Sequence, residues 1–386
     1  MTAEMGKPLA QSVAEIEKCA LVCEYCAAHG ARILADQTPP IAPAQARVLF
    51  QPLGVVLAIM PWNFPFWQSF RAAAPALMAG NTMVLKPAPI TAGCGLAIEK
   101  VFQRAGAPRG IFQTVLVETG QAAALIADPR VRAVTLTGST RAGQSVAALA
   151  GAAMKPGVFE LGGSDAYLIL HDADLEHAAQ ICAQSRLINS GQSCIAAKRF
   201  VVVRSVRREF ERRLVEIMAA SRVGDPTDPA NSVGPLARAD LRDHLHEQVR
   251  RSVRRGARVL LGGKPLPGPG FFFAPTVLTD VLPGMPAYEE ELFGPVAAII
   301  EVRDEAGAVA VANDSIYGLG AAVFSRNRTR ARRIAAQIEA GAIAVNDFVR
   351  SDPTLPFGGI KQSGYGRELG EWGLRSFLNV KTVVGA

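Results

Sequence analysis

The stretch Asn189-Ser190-Gly191-Gln192-Ser193-Cys194 carries a thiol in a short polar turn that follows an apolar segment. A second turn, Glu160-Leu161-Gly162-Gly163, places a carboxylate 34 residues before the thiol. Most free cysteines are small core residues, whereas a reactive cysteine needs an accessible polar setting. The polar side chains before Cys194 are poor neighbours for a core cysteine, and Glu160 suits a general base. The two turns together predict covalent catalysis.

Strand-like and helix-like segments alternate on both sides of these turns. One series runs through residues 55–153, and a second series of the same kind follows Gly163. Alternation with helices of this length is typical of parallel sheets that are covered on both faces. A chain of 386 residues also suits two domains better than one. The sequence therefore predicts an α/β fold with two Rossmann-type parallel-sheet domains.

The composition excludes several classes of protein. Hydrophobic residues make up 49% and charged residues 19%, as in globular enzymes. The net charge is +7, but Lys and Arg alternate with apolar residues along segments such as 204–213, which favours solvated helix faces over a nucleic-acid surface. No apolar stretch would span a membrane, and the first residues do not form a signal peptide. We therefore expect a cytoplasmic protein without nucleic-acid or membrane partners.

Cysteines at positions 19, 23 and 26 occur at helical spacing, which indicates one buried helix face. They have no nearby histidine or second cysteine pair, so we expect no metal site.

Seven motifs occur in a fixed order along the chain. They are Pro61-Trp62-Asn63-Phe64-Pro65, Lys86-Pro87, Thr137-Gly138-Ser139, Phe159-Glu160-Leu161-Gly162-Gly163, Gly191-Gln192-Ser193-Cys194, Glu291-Leu292-Phe293-Gly294-Pro295 and Pro356-Phe357-Gly358-Gly359-Ile360-Lys361. In this order they resemble the aldehyde dehydrogenase superfamily over about residues 1–381. Residues 161–165 and 196–200 are most similar to the bacterial succinate-semialdehyde dehydrogenases. The chain starts later than the family pattern, so the first part of the cofactor domain is expected to be missing.

The resemblance implies three regions. A cofactor-binding domain is expected at 1–37 and 53–160, a catalytic domain at 161–355, and oligomerisation strands at 38–52 and 370–386. The small strand extension is expected to pair subunits in a homodimer or homotetramer.

The resemblance also implies a reaction, the NAD(P)-dependent oxidation of an aldehyde. Cys194 would add to the aldehyde as a thiohemiacetal, with the Asn63 amide and the Cys194 backbone N–H stabilising the oxyanion. Hydride transfer to a nicotinamide would leave a thioester, which water activated by Glu160 would hydrolyse.

The cofactor would bind at positions that match the family's motifs: Trp62, Lys86, Pro89, Gly138, Ser139, Gly143, Leu161, Glu291 and Phe293. Lys86 would bind the adenosine ribose, and the glycine-containing turn at Gly138 would meet the pyrophosphate at a helix N-terminus. Without the resemblance that turn is a weak signal, because it matches neither a Rossmann fingerprint nor a P-loop. Pro89 stands where many NAD-preferring members have a glutamate, so we expect use of both NADP and NAD.

Succinate semialdehyde is the expected substrate. Arg71, eight residues after Asn63, would pair with its carboxylate, helped by Ser351, while Trp67 and Phe348 would form an apolar wall. Arg71 alone could instead be a surface salt-bridge residue. Two alternatives stay open at this point: a dehydrogenase of uncharged aliphatic or aromatic aldehydes, and a catalytically silent truncated homologue with a structural role.

Overall fold

The computed structural model describes residues 1–40 and 45–385. Five positions of the predicted oligomerisation strands, 41–44 and 386, lie outside the described residues. Among the helices of the described chain, none is long and apolar enough to cross a membrane.

Strands and helices alternate along most of the described chain. In order, the strands β1 to β17 are Ala46–Pro52, Val55–Ile59, Thr82–Lys86, Phe112–Thr114, Val131–Thr137, Gly157–Glu160, Ala166–Ile169, Arg199–Val203, Arg258–Leu261, Thr276–Thr279, Val296–Val302, Tyr317–Gly318, Gly320–Phe324, Ala342–Val345, Ile360–Lys361, Gly364–Tyr365 and Leu378–Val384. The helices α1 to α13 are Thr2–Met5, Leu9–Ile33, Pro65–Met78, Ala92–Arg104, Ala122–Ala127, Thr140–Ala152, Leu175–Leu187, Arg207–Ala219, Ala239–Arg254, Pro286–Glu289, Glu305–Asn313, Arg328–Ala335 and Gly370–Arg375.

The chain divides into two compact units. The first unit comprises Met1–Ser12, Gly162–Arg350 and Gly359–Ser363. The second unit comprises the described residues of Val13–Leu161, Ser351–Gly358 and Gly364–Ala386. The first twelve residues therefore group with residues 162–350. The sequence analysis had instead expected them in the cofactor-binding domain.

The first unit is built on a seven-stranded sheet in the order β14-β13-β7-β8-β11-β10-β9. Its strands pair in parallel except at the edge strand β9. All five residues of β8 are buried, as is typical of a central strand with helices on both faces. Helices α7 and α8 contribute to the core on one face, and α11 and α12 contribute to the core on the other.

The second unit contains a six-stranded sheet in the order β16-β6-β5-β2-β3-β4. Only the edge strand β16 is antiparallel to its neighbour. Helix α6 packs on the apolar side chains of β2, β5 and β6. The two sheets confirm the predicted α/β fold with parallel sheets.

Strands β1 and β17 form a separate two-stranded antiparallel ribbon in the second unit. Its side chains include Val380 and Val384, which are about three-fifths exposed. The predicted role of this ribbon in pairing subunits stays a prediction. The segment 370–386 is not all strand, however, because Gly370–Arg375 forms α13.

Candidate active site

Several predicted site residues share the carboxyl edge of the sheet in the second unit. Lys86 and Glu160 are the last residues of β3 and β6, and Gly138 directly follows β5. Asn63 lies in the turn between β2 and α3. Because these four strands are parallel, their carboxyl ends meet at one edge, where open α/β sheets bind ligands.

Asn63 is held in a defined orientation. Its side-chain oxygen accepts a hydrogen bond of 3.0 Å from Nε2 of Gln68, one turn into α3. This bond turns the amide nitrogen of Asn63 to the opposite side as a donor. The start of α3 is fixed as well, because Oε1 of Glu15 accepts the backbone N–H groups of Phe66 and Trp67 at 2.9 Å. A carboxylate at this position satisfies orphan donors of the helix N-terminus and complements its dipole.

Glu160 is a buried carboxyl group, only 2% exposed. Neither of its oxygens accepts a hydrogen bond from the residues that the structure describes. Burial, and secondly the charge of Glu368, raise the pKa of Glu160 well above its usual value, against the opposing effect of Arg71. A Cβ at Gly358 would come within 2.7 Å of Oε1 of Glu160, so only glycine leaves room beside the carboxylate. These are properties of a general base that holds its proton more tightly than an exposed glutamate.

Arg71 forms an ion pair with Glu368, and both side chains are 3% exposed. Its guanidinium also donates to Oγ1 of Thr137 at 3.2 Å and lies 4.9 Å from the ring centroid of Phe357. Burial raises the pKa of Glu368, and Arg71 opposes that shift. Arg71 therefore neutralises part of a buried pair of carboxyl groups, and its predicted contact with a substrate carboxylate stays a prediction.

The other two predicted substrate residues of this unit contact each other directly. The indole Nε1 of Trp67 donates to Oγ of Ser351 at 2.9 Å. Both side chains are buried. Trp67 lies in the first turn of α3, four residues after Asn63.

The predicted cofactor positions of the second unit are compatible with a dinucleotide. Ser139 is the N-cap of the thirteen-residue α6, and its hydroxyl accepts from the backbone of Ala142. A Cβ at Gly143 would come within 2.3 Å of the Leu161 side chain, so glycine permits close packing of α6 on the sheet. Burial lowers the pKa of Lys86. Trp62 is half-buried before α3.

Cys194 lies in the first unit, after a turn with an unusual backbone. Asn189, Ser190 and Gly191 have φ values of 51°, 55° and 79° in succession. Non-glycine residues rarely adopt this left-handed region, and such strain is concentrated at functional sites. The turn is fixed by hydrogen bonds from Gln192 to Asn189 and from Arg186 to Gly191. Cys194 itself is half-buried.

Lys198 is a buried cation that holds the same turn. Its ammonium donates to the backbone carbonyls of Ser193 at 2.9 Å, Cys194 at 2.8 Å and Ala196 at 3.3 Å. The ammonium also lies 3.4 Å from Oε1 of Glu291.

Two further neighbours complete this arrangement. The Glu291 carboxylate accepts the backbone N–H of Gly163 at 3.1 Å. A Cβ at Gly163 would come within 2.8 Å of the Cys194 carbonyl oxygen. The Gly-Gly turn thus lies directly against the thiol-bearing turn.

The remaining predicted residues of the first unit are Phe293 and Phe348. Both are half-buried. The Arg350 guanidinium lies 3.7 Å from the Phe348 ring centroid. Their predicted roles at the nicotinamide and the substrate stay predictions.

Comparison with known proteins identifies the family. The model of the aldehyde dehydrogenase family matches residues 1–383. The chain belongs to the aldehyde dehydrogenase family. A probable succinate-semialdehyde dehydrogenase [NADP(+)] of Synechocystis sp. is 49% identical, over 99% of this chain and 84% of its own length. The succinate semialdehyde dehydrogenase [NAD(P)+] Sad of Escherichia coli is 46% identical, over 99% and 83%.

A solved structure of a family member supports the same conclusion. The succinic semialdehyde dehydrogenase from Streptococcus pyogenes, in complex with NADP+, has a TM-score of 0.96 and 39% sequence identity to this chain. The match covers 99% of this chain and 84% of the other. The predicted family is therefore confirmed, and aldehyde oxidation is the activity that goes with it.

Within this aldehyde dehydrogenase, sequence reasoning missed the residues that support the predicted ones. They are Glu15, Gln68, Lys198 and Glu368, together with Lys18, whose ammonium donates to Oγ of Ser351 at 2.9 Å. Lys198, four residues after the thiol, and Gln68, five residues after Asn63, are the two that proximity could have indicated. Glu15, Lys18 and Glu368 become neighbours of the site only through the fold, so no local pattern marks them.

Proposed function

We propose that this chain oxidises succinate semialdehyde to succinate with NADP+ or NAD+. The observation that supports this substrate is the buried hydrogen bond between Ser351 and Trp67, which lies four residues after Asn63. Polar groups in that position suit a substrate with a second polar end. The names of the relatives that are 46% and 49% identical support the same choice.

The first step needs a nucleophile and an oxyanion donor. The Sγ atom of Cys194 adds to the aldehyde carbon, and the carbonyl electron pair moves to the oxygen. The side-chain amide of Asn63, oriented by Gln68, and the backbone N–H of Cys194 stabilise the negative charge there. The preset orientation of Asn63 means that little reorganisation is needed when the charge forms.

The last step needs a base. Glu160 takes a proton from water, whose oxygen attacks the thioester carbon; the C–S bond breaks, and succinate and the Cys194 thiolate are released. A buried carboxylate with a raised pKa is a stronger base than an exposed one, and its oxygens accept no hydrogen bond from the described residues.

NADP+ or NAD+ fits the edge of the second unit's sheet. The cofactor would be held there by Lys86, by the Ser139 end of α6 and by the turn at Pro89. Its nicotinamide end is proposed to contact Glu291 and Phe293 of the first unit. When bound, the nicotinamide accepts the hydride whose loss converts the Cys194 adduct into a thioester.

The purified chain should prefer succinate semialdehyde to pentanal, a similar aldehyde without a carboxylate. A charge-assisted hydrogen bond contributes about 1.5–3 kcal/mol, so we expect kcat/KM to be about tenfold to a hundredfold higher for the semialdehyde. NADPH formation, followed by absorbance, measures both values. Equal kcat/KM values for the two aldehydes would contradict the proposed substrate. They would leave the assignment to the aldehyde dehydrogenase family intact.

Replacement of Pro89 should change the choice of cofactor. Pro89 is exposed and begins the short turn after Lys86. A carboxylate there would accept from a ribose 2′-hydroxyl and repel a 2′-phosphate, so Pro89→Glu should shift the NADP/NAD ratio of kcat/KM toward NAD by about tenfold, ~1.4 kcal/mol. Pro89→Gln is the uncharged control. Strict NAD dependence of the unaltered chain would refute the proposed dual use.

We further infer a homo-oligomer that works in the cytoplasm. The exposed valines of the β1–β17 ribbon support subunit pairing, since apolar strand surface favours burial against another chain.

A further inference from the structure

The ammonium of Lys198 is bound by the backbone of the thiol-bearing turn and by no other carbonyl groups of the described chain. It donates to the carbonyl oxygens of Ser193 at 2.9 Å, Cys194 at 2.8 Å and Ala196 at 3.3 Å. The Lys198 side chain is 1% exposed, and all four residues belong to the first unit. Neither the sequence motifs nor the comparisons assign a role to this lysine.

Three carbonyl acceptors indicate that the Lys198 side chain carries its positive charge. An ammonium has three N–H donors and no acceptor, so each carbonyl oxygen receives one hydrogen. A neutral amine has only two hydrogens, and its lone pair would face a carbonyl oxygen. Burial lowers the pKa of Lys198, and Glu291, whose Oε1 atom lies 3.4 Å from the ammonium, is the strongest of the groups that oppose this shift. A fixed positive charge therefore lies against the turn.

The contact with Ser193 fixes the direction of the Cys194 N–H. The Ser193 carbonyl and the Cys194 N–H belong to the same peptide unit, which is trans and planar. In such a unit the C=O and N–H bonds point in opposite directions. Because the Ser193 oxygen is directed at the ammonium, the Cys194 N–H is directed away from it. This N–H is the backbone donor that the proposed mechanism assigns to the oxyanion.

The charge of Lys198 also strengthens that donor. A cation at a carbonyl oxygen draws electrons through the amide, which makes the N–H of the same peptide unit more positive. Because the ammonium is buried, water screens this effect little. The ammonium is in place before any substrate reacts, so no reorganisation is needed when negative charge develops.

Lys198 is itself held firmly. It directly precedes β8, its backbone N–H donates to the Asp165 carbonyl at 3.1 Å, and its carbonyl accepts from the N–H of Ala298 at 3.0 Å. Its ammonium binds the carbonyls on both sides of the Cys194 Cα atom. The central sheet of the first unit thus positions the backbone of the thiol residue through one side chain.

We propose that Lys198 is a positioning residue that orients and polarises the Cys194 N–H for the oxyanion of the tetrahedral adduct. This inference rests on the proposed function for the role of that N–H. Reactions in which charge develops on a carbonyl oxygen should then depend on Lys198. Reactions of the Cys194 sulfur that form no oxyanion should not.

Two reagents that need neither aldehyde nor cofactor separate these cases. The Cys194 thiolate adds to the carbonyl carbon of p-nitrophenyl acetate, the carbonyl electron pair moves to oxygen, and collapse of the adduct expels p-nitrophenolate and leaves an acetyl thioester. With iodoacetamide the same thiolate displaces iodide from a CH2 carbon, and no oxyanion forms. Both reactions use the thiolate, so the ratio of acylation rate to alkylation rate does not depend on the fraction of thiol that is ionised.

The ratio is measured at neutral pH from nitrophenolate absorbance and from mass spectrometry of the alkylated chain, after subtraction of the rates in Cys194→Ala. Lys198→Met should lower it by about tenfold to a hundredfold, the effect of a charge-assisted hydrogen bond. Lys198→Gln, which donates without a charge, should lower it by about tenfold, and Lys198→Arg, which keeps the charge, by less than about threefold. Lys264→Met, an exposed lysine of the first unit with the same change in net charge, should match the unaltered chain.

Circular dichroism shows whether each variant folds, and if Lys198→Met does not, the comparison of Lys198→Gln with Lys198→Arg is the same test. An unchanged ratio in the uncharged variants would overturn the inference, whether both rates fall together or neither falls, because Lys198 would then only maintain the turn or the thiolate. Equal losses in Lys198→Gln and Lys198→Arg would overturn it as well.

The aldehyde assay is independent of this ratio. If the chain does not oxidise succinate semialdehyde but the ratio falls as stated, the proposed substrate is wrong and the role of Lys198 stands. If the chain oxidises the semialdehyde and the ratio is unchanged in the variants, the proposed function stands and the inference is wrong.

Discussion

Cys194→Ala and Cys194→Ser are expected to abolish aldehyde-dependent NADPH formation, with a loss of about a thousandfold or more. Alanine removes the nucleophile, and a serine hydroxyl is a far weaker nucleophile than a thiol without a dedicated base. The backbone of the turn is held by its own hydrogen bonds and by Lys198, so neither change should unfold it. Initial rates give the activity, and thermal unfolding shows that the fold is retained.

Cys23→Ala provides the matched control for that experiment. Cys23 is half-buried like Cys194 but lies on α2, and burial raises the pKa of its thiol. The variant should keep the activity of the unaltered chain. Activity above about a tenth of normal in Cys194→Ala would remove this thiol from the mechanism.

Glu160→Gln should separate the two halves of the reaction. Turnover is expected to fall by about a hundredfold to ten-thousandfold, the range that positioned general bases supply. A pre-steady-state burst of NADPH should survive, because formation of the thioester does not need this base. Glutamine is nearly isosteric and removes a charge from the buried pair with Glu368, so folding should not suffer. Stopped-flow absorbance measures the burst, and Glu371→Gln, an exposed glutamate, is the control.

The dependence of turnover on pH follows from the same carboxyl group. Glu160 acts as a base only when deprotonated, and burial together with Glu368 raises its pKa. Turnover should therefore be low in acid and rise as the pH passes the raised pKa, whereas Glu160→Gln should lack this rise. Loss of the burst in Glu160→Gln would mean that Glu160 also activates the thiol.

The sequence predicted those parts of the fold whose patterns are local. Central strands such as β8 are continuous apolar runs, and the helices between them have capping residues and clear lengths. The segment 370–386 was predicted as strand throughout because the resemblance placed an extension there. Its first part forms α13, a short helix without a capping side chain. The sequence therefore contains no clear helix-start signal there.

The site residues that lie in distinctive sequence motifs were predictable. Those that reach the site only through tertiary contacts were not. Cys194, Glu160 and Asn63 stand in distinctive turns. Glu368, in contrast, reaches Arg71 only because β16 pairs with β6 far along the chain. An arginine at the expected place thus has a partner that spacing could not reveal, and Lys18 reaches Ser351 across more than three hundred residues for the same reason.

The supports described for the thiol turn, namely Lys198, Arg186, Gln192 and Gly163, all belong to the first unit, whereas Lys18, Trp67 and Ser351 belong to the second. The reactive atom and two of the residues predicted to contact the substrate, Trp67 and Ser351, consequently belong to different units of the chain. Laboratory evolution toward longer or uncharged aldehydes can therefore randomise Trp67 and Ser351, which are predicted to contact the substrate, while the strained, glycine-dependent turn is left untouched. Variation at residues 189–191 would damage the nucleophile before it changed the substrate.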